Sequence, residues 1–137
     1  MKAFLDSSAF AKRFIEESGS ARVEALCSRA SALGLSVICV PEIVSALNRR
    51  LRDRSLTQNQ YGEARRRLLD DVHDADIIQL TPSVIGSAIR VLEAGSLRAM
   101  DALHIACALE WGAELFASSD ARQVHAARRA GLKTQQT

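Results

Sequence analysis

The amino-acid sequence predicts an α/β domain with a mostly parallel sheet. Short apolar segments that suit buried strands alternate with longer segments whose apolar residues recur at helical spacing. Ser, Thr, Pro and Gly stand where helices are expected to begin and end. A chain of 137 residues is long enough for one sizeable core, so we expect residues 1–137 to form a single domain.

The first half of the chain is expected to hold two strands and four helices. AFLD at residues 3–6 is short and apolar, and LSVICV at residues 35–40 is a β-branched run typical of a strand buried on both faces. Gly19 and Gly34 are expected to end the first two helices, and Pro41 suits the first turn of the third. The predicted helices cover residues 7–20, 20–34, 41–53 and 57–74.

The second half is expected to hold three strands and three helices. Thr81 and Pro82 form a typical helix start, and Gly95 a typical helix end. The predicted strands cover residues 75–80, 113–120 and 132–135, and the predicted helices cover residues 81–95, 98–109 and 121–131.

The basic charge is concentrated in two short clusters. The formal net charge is only +2, but Arg49–Arg54 and Arg65–Arg67 gather arginines near the middle of the chain. Such clusters can follow a phosphate backbone, or they can form a solvated helix face. Both interpretations stay open at this point.

The cysteines and the hydropathy pattern favour a reducing, cytoplasmic compartment. Cys27, Cys39 and Cys107 form no C-x-x-C pair, are odd in number and stand among apolar residues, so we expect free thiols. The first ten residues lack the apolar stretch of a signal peptide, and no apolar run has membrane-spanning length.

Three acidic residues follow predicted strands. Asp6 ends the first strand, Glu42 lies in the helical turn after the second, and Asp120 ends the segment at residues 113–120, directly after ELFASS. Because ligands of open parallel sheets bind outside the carboxyl ends of the strands, these acids are expected at one edge of the sheet. Each also has a structural explanation: Asp6 and Asp120 suit helix caps, and Glu42 suits a helix dipole.

A fourth acid, Asp101, is harder to explain structurally. It stands inside RAMDALHIACAL at residues 98–109, a segment that is otherwise apolar on almost every side and therefore expected in the core. A buried carboxylate needs a partner. That partner is either Arg98, three residues earlier on the same helix face, or a cation shared with the other acids.

Together the four acids predict a metal site. Two carboxylates about 5 Å apart repel by roughly 3 kcal/mol at an effective dielectric near 20. Oxygen ligands with few or no His or Cys suit Mg²⁺ or Mn²⁺, and such ions assist hydrolysis of phosphodiesters. The arginine clusters would then have a polyanionic partner.

Four segments are distributed over essentially the whole chain in this order: FLDSSAFAKRF, VPEIVSALNRR, LRAMDALHIACAL and LFASSDARQ. In this order they resemble the PIN-domain ribonucleases, in particular the VapC-type toxins of bacterial and archaeal toxin–antitoxin pairs. LRAMDALHIACAL is the most specific of the four. The resemblance implies a PIN fold, which is a three-layer α/β/α sandwich.

The resemblance also assigns the site. It implies that Ser8 and Ser119 support the acids by orienting carboxylates or water. It further implies Mg²⁺- or Mn²⁺-dependent endoribonuclease activity with one or two ions, a homodimer, and inhibition by a small cognate antitoxin. The catalytic and metal-binding acids it assigns are Asp6, Glu42, Asp101 and Asp120. The candidate contacts to RNA are Arg49, Arg50, Arg65 and Arg66.

Other interpretations are weighed against this one. His104 lies three residues after Asp101 and could be a base or a ligand, but a lone histidine on a buried helix is more often a hydrogen-bonded core residue. A catalytically silent RNA-binding or scaffold domain on the same fold is the second hypothesis, and the complete set of acids argues against it. A receiver-like phosphotransfer domain would need a lysine after a later strand, which Lys2, Lys12 and Lys133 do not supply.

Overall fold

The computed structural model describes residues 1–137 and contains one five-stranded parallel sheet with seven α-helices. The strands are β1 (Lys2–Leu5), β2 (Ala32–Ser36), β3 (Asp76–Ile78), β4 (Leu115–Ser118) and β5 (Thr134–Gln136). The helices are α1 (Ser7–Phe10), α2 (Ser20–Arg29), α3 (Cys39–Arg52), α4 (Gln58–Val72), α5 (Pro82–Glu93), α6 (Ala99–Trp111) and α7 (Ala121–Arg129). None of the helices is long and apolar enough to cross a membrane.

The strand order places a crevice between β1 and β4. The order is β3-β2-β1-β4-β5, and all four neighbouring pairs are parallel. The chain therefore adds strands on one side of β1 and later on the other side, so the direction of winding reverses between β1 and β4. In open α/β sheets, ligands bind at such a reversal.

Helices cover both faces of the sheet and make two cores. Helices α1–α4 enclose one face, where Phe10, Leu26 and Leu68 are fully buried. Helices α5–α7 enclose the other, where the rings of Phe4 and Phe116 stack with their centroids 5.9 Å apart across β1 and β4. These layers confirm the predicted three-layer α/β/α sandwich.

Helix α6 is as buried as its sequence predicts. Ala102, Ile105, Ala106, Cys107 and Ala108 have no exposed surface. They lie in the core on the α5–α7 side of the sheet, and α6 contacts both α5 and β2. Asp101 belongs to the first turn of this helix, where the buried stripe reaches the edge of the sheet.

The predicted helix at residues 7–20 is wrong beyond residue 13. Helix α1 is a single turn, and a 3₁₀ turn over Ala11–Arg13 extends it. Gly19 does not end this helix but precedes α2, at a positive φ of 95° that an L side chain rarely adopts. Ser20 is accordingly the first residue of α2 and not its cap.

The predicted strand at residues 35–40 is also misplaced, because β2 covers Ala32–Ser36 and α2 ends at Arg29. Gly34 lies inside the strand and does not end a helix. A side chain there would come within 2.7 Å of the Trp111 ring, so the glycine lets α6 approach the sheet closely. The β-branched run continues into α3, which leaves Pro41 in the first helical turn as predicted. The remaining ends differ from prediction by at most two residues.

Candidate functional site

Asp6 directly follows β1 and is almost fully buried, with 2% of its surface exposed. Its Oδ1 accepts hydrogen bonds from the Ala9 amide at 2.9 Å and the Ser8 hydroxyl at 2.7 Å, and its Oδ2 accepts one from the Ser118 hydroxyl at 2.6 Å. Burial raises the pKa of Asp6 above its ordinary value, although these hydrogen bonds oppose the rise. Asp6 is therefore a helix cap, as one interpretation expected, and also a carboxylate fixed from three sides.

Ser118 connects Asp6 to Asp120. It is the last residue of β4, has no exposed surface, and accepts the Asp120 amide at 3.0 Å while its own hydroxyl donates to Asp6. The Asp120 carboxylate accepts the Arg122 amide at 2.8 Å and so caps α7. The reversal between β1 and β4 thus brings two of the predicted acids together through one serine.

Glu42 is held by His104 and Ser7. Its Oε1 accepts the Ser7 hydroxyl at 2.7 Å and pairs with His104 Nε2, which must carry the proton because a carboxylate can only accept. Burial raises the pKa of Glu42, but the hydrogen bonds from His104 and Ser7 outweigh it, so the pKa lies below its ordinary value. His104 is 2% exposed, which confirms the interpretation as a hydrogen-bonded core residue, and its buried Nδ1 has no partner.

Asp101 has no protein partner for its carboxylate. Its side chain makes no hydrogen bond and no ion pair, and only its backbone carbonyl accepts a hydrogen bond, from the Gln123 side chain at 3.1 Å. Arg98, at the start of α6, forms no ion pair with Asp101, so the interpretation as an Arg98–Asp101 pair is wrong. Burial raises the pKa of Asp101, and the nearby charges of Asp120, Asp6 and Glu42 raise it further. Asp101 is therefore the one site acid whose carboxylate accepts no hydrogen bond and forms no ion pair within the protein.

Three of the acids line one cleft. Glu42, Asp101 and Asp120 border an open space of about 640 Å³, together with Arg98 and Arg122. Asp6 does not line this cleft but is close enough to affect the pKa of Asp101. In the observed side-chain positions, no three His, Cys, Asp or Glu side chains converge closely enough to share one ion directly.

The supporting serines differ in what they contact. Ser8 donates to Asp6, as a carboxylate-orienting residue would. Ser119 contacts Ser8 instead of an acid: its amide donates to the Ser8 hydroxyl at 3.0 Å and its hydroxyl lies 3.3 Å from the Ser8 carbonyl. Sequence reasoning missed Ser7 and Ser118. Both belong to the Ser-Ser pairs of DSSAF and FASSD, where the sequence does not indicate which hydroxyl faces the acid.

Two of the predicted RNA-contacting arginines are ion-paired. Arg50 lies 3.4 Å from Glu17, and Arg66 lies within 2.9 Å of both Glu63 and Asp70. Exposed pairs of this kind contribute little to stability, yet they reduce the charge available to a ligand. The other two candidates, Arg49 and Arg65, are exposed and make no ion pair.

Comparison with known proteins identifies the family. Residues 3–129 match the sequence profile of the PIN domain. The chain belongs to the PIN-domain family. Ribonuclease VapC45 of Mycobacterium tuberculosis (strain CDC 1551 / Oshkosh) is 33% identical to it over 109 residues, which cover 80% of this chain and 76% of the relative. This PIN domain is therefore of the VapC type.

Solved structures share the fold of this PIN domain at low sequence identity. The crystal structure of VapC20 of Mycobacterium tuberculosis, described as a sarcin-ricin loop cleaving toxin, matches with a TM-score of 0.72 and 16% identity, covering 98% of this chain and 99% of that one. VapBC2 from Rickettsia felis, bound to a DNA fragment from its promoter, matches with a TM-score of 0.70 and 12% identity, covering 100% and 99%.

Proposed function

We propose that this PIN-domain protein is a metal-dependent endoribonuclease and the toxin of a type II toxin–antitoxin pair. The observation that carries the proposal is the unpaired, half-buried carboxylate of Asp101, which lines the same cleft as Glu42 and Asp120. A carboxylate so placed calls for a cation. The name of the relative VapC45, a ribonuclease, supports RNA as the substrate.

The proposed ligands of the ion are Asp6, Glu42, Asp101 and Asp120. Their oxygen donors fit Mg²⁺ or Mn²⁺, and Mg²⁺ in particular binds through few carboxylates and keeps several waters. One or two ions bound there would supply charge neutralisation at the phosphate and activation of water.

The protein's own residues hold this arrangement in place. Ser7 and His104 orient Glu42 and lower its pKa, whereas Ser8 and Ser118 orient Asp6 and only oppose the rise in pKa that burial causes. Ser7, His104 and Ser118 lie on different elements from the acids that they contact, and Ser8 lies in α1, which begins directly after Asp6. The sheet edge is thereby held rigid against the mutual repulsion of its carboxylates.

The remaining parts of the proposal concern partners and location. Arg49, Arg50, Arg65 and Arg66 are candidate contacts to the RNA backbone. A small cognate antitoxin would inhibit the enzyme, as the toxin–antitoxin complexes among the structural relatives suggest. The resemblance to VapC-type toxins leads us to expect a homodimer as the active form. We also infer a single domain over residues 1–137, supported by one sheet that runs from Lys2 to Gln136, and a cytoplasmic location, supported by three free cysteines.

The enzymatic proposal is tested by RNA cleavage with controlled metal. Purified protein, stripped of metal with EDTA, should not cleave a mixed-sequence single-stranded RNA, and adding Mg²⁺ or Mn²⁺ should start endonucleolytic cleavage. A catalytically silent RNA-binding domain would bind the same RNA without cleaving it under any metal. Cleavage that persists undiminished in excess EDTA would contradict the metal dependence.

His104 offers a sharper test of the site. His104→Phe removes the donor to Glu42 and should weaken Mn²⁺ binding by about 10–100-fold, the usual effect of losing a residue that orients a metal ligand. His104→Gln can still offer an N–H and should recover part of the affinity. The readout is calorimetric Mn²⁺ titration of variants whose circular dichroism matches the wild type. Equal Mn²⁺ affinity in His104→Phe and the wild type would show that this contact is only structural.

A further inference from the structure

The acid cleft continues into a second depression of about 350 Å³, which we name the α7 groove. The two share Ser96, Leu97 and Arg122, so one open surface runs from the carboxylates onto α7. No acidic residue lines the α7 groove. Its apolar lining is Leu97, Ala121 and Ala126, and its basic lining is Arg122, His125 and Arg129.

One exposed face of α7 supplies the basic lining. Arg122, His125 and Arg129 are spaced i, i+3 and i+7, which places them on the same side of the helix. All three are exposed and none makes an ion pair, in contrast to Arg50 and Arg66. The α7 groove therefore presents positive charge that the protein does not neutralise.

Arg129 also shapes the wall of the groove. Its Nη2 donates to the carbonyl oxygen of Ala94, in the loop between α5 and α6. The guanidinium fills the space beside Gly95 and leaves no room for a side chain there. This contact holds the loop that carries Ser96 and Leu97 into the groove.

We propose that the α7 groove binds one unstacked nucleotide of single-stranded RNA next to the scissile phosphate. Resting on the proposed function, this assigns the substrate a path from the acids onto α7. The base would lie against Leu97, Ala121 and Ala126 and stack on the ring of His125, since single-stranded RNA is recognised by stacking on aromatic and arginine side chains. Arg122 would contact the adjoining phosphate.

The charge distribution explains why such a path is needed. Glu42, Asp101 and Asp120 repel a polyanion, and Arg98 and Arg122 are the unpaired cations that line the same cleft. Of the basic residues, Arg122 alone lines both the cleft and the groove. Arg122 is therefore placed to hold the phosphate next to the one at the acids. The contacts in the groove would position a single-stranded RNA and would not require base pairs.

The test measures RNA binding separately from cleavage. Asp101→Asn serves as the background, and the probe is a fluorescein-labelled single-stranded RNA of mixed sequence, with its duplex as comparison, followed by fluorescence anisotropy. Adding His125→Ala should weaken binding at least about fivefold, the lower end of a lost stacking contact, while His125→Phe should retain it. Adding Arg122→Ala should weaken binding and lower the slope of log Kd against log salt by about 0.7.

Arg29→Ala is the charge-matched control. Arg29 is exposed near the end of α2 and makes no ion pair, so its removal should leave the affinity unchanged. The inference is overturned if Arg122→Ala and His125→Ala bind the RNA like the background, which would leave the groove to a protein partner. It is equally overturned if Arg29→Ala or His125→Phe loses as much RNA affinity as Arg122→Ala and His125→Ala, or if the duplex binds as tightly as the single strand.

The outcomes separate this inference from the proposed function. If the wild type cleaves RNA with metal and the groove variants bind RNA unaltered, the nucleotide site in the α7 groove is contradicted and the ribonuclease proposal is supported. If the wild type does not cleave RNA but the groove variants lose RNA affinity as expected, the nucleotide site is supported and the protein is an RNA-binding domain.

Discussion

Asp101→Asn is expected to lower RNA cleavage by more than about 100-fold and to leave the fold intact. Losing a residue that only orients a metal ligand costs about 10–100-fold, so losing a proposed ligand should cost more. The fold should survive because the Asp101 carboxylate contacts no protein donor that asparagine would leave unpaired. Cleavage of single-stranded RNA in Mg²⁺ is the measurement, with Glu110→Gln, a second acid on α6, as the control that should stay active.

The same variant should be more stable than the wild type near neutral pH when divalent ions are absent. Because the pKa of Asp101 is raised above 3.8 in the folded state, ionising it costs more in the folded than in the unfolded chain. The wild type therefore loses stability as the pH rises through the raised pKa, and the two proteins should converge at lower pH, where the carboxyl is protonated in both states. Urea denaturation at acidic and neutral pH measures this, and a variant that is less stable at neutral pH would contradict it.

Ser118→Ala is expected to reduce cleavage by about 10–100-fold and to lower the free energy of unfolding by about 1–3 kcal/mol. The change removes the donor to Asp6 Oδ2 and leaves the amide of Asp120 without its acceptor. The two acids at the reversal between β1 and β4 then lose the side chain that connects them. Cleavage per folded molecule and urea denaturation report the two effects separately.

Ser36→Ala is the matched control for that prediction. Ser36 is a buried serine that ends β2, which is separated from β4 by β1, and it contacts Cys107 and the amide of Ile38 instead of a site acid. Its replacement should cost stability but leave cleavage per folded molecule unchanged. If both serine variants kept full cleavage, Ser118 would be a packing residue only.

Much of the fold follows from local patterns in the sequence. The burial of helix α6 is predictable because an almost wholly apolar helix is stable only inside a core. The placement of Asp6 and Asp120 at one edge of the sheet follows from their positions after β1 and β4. The prediction for the strand at residues 35–40 failed at Gly34, because a glycine that admits a tryptophan ring looks the same in sequence as one that ends a helix.

The links within the site could not be predicted. The order β3-β2-β1-β4-β5 is set by contacts between segments far apart in the chain, and only that order brings Ser118 beside Asp6. The contact between His104 and Glu42 likewise joins α6 to α3 across 62 residues. The pairing of the arginines is predictable only in part: Arg66 has Glu63 and Asp70 one turn away on α4, whereas the partner of Arg50, Glu17, lies 33 residues earlier in the chain.

Calorimetric titration of metal-free protein with Mn²⁺ tests the central claim most directly, because it asks whether the acids hold a cation without depending on any substrate. The wild type should give saturable binding of one or two ions, and Asp101→Asn should bind at least about tenfold more weakly while Glu110→Gln matches the wild type. No saturable binding by the wild type, or the same isotherm for Asp101→Asn, would contradict a metal site at this edge of the sheet.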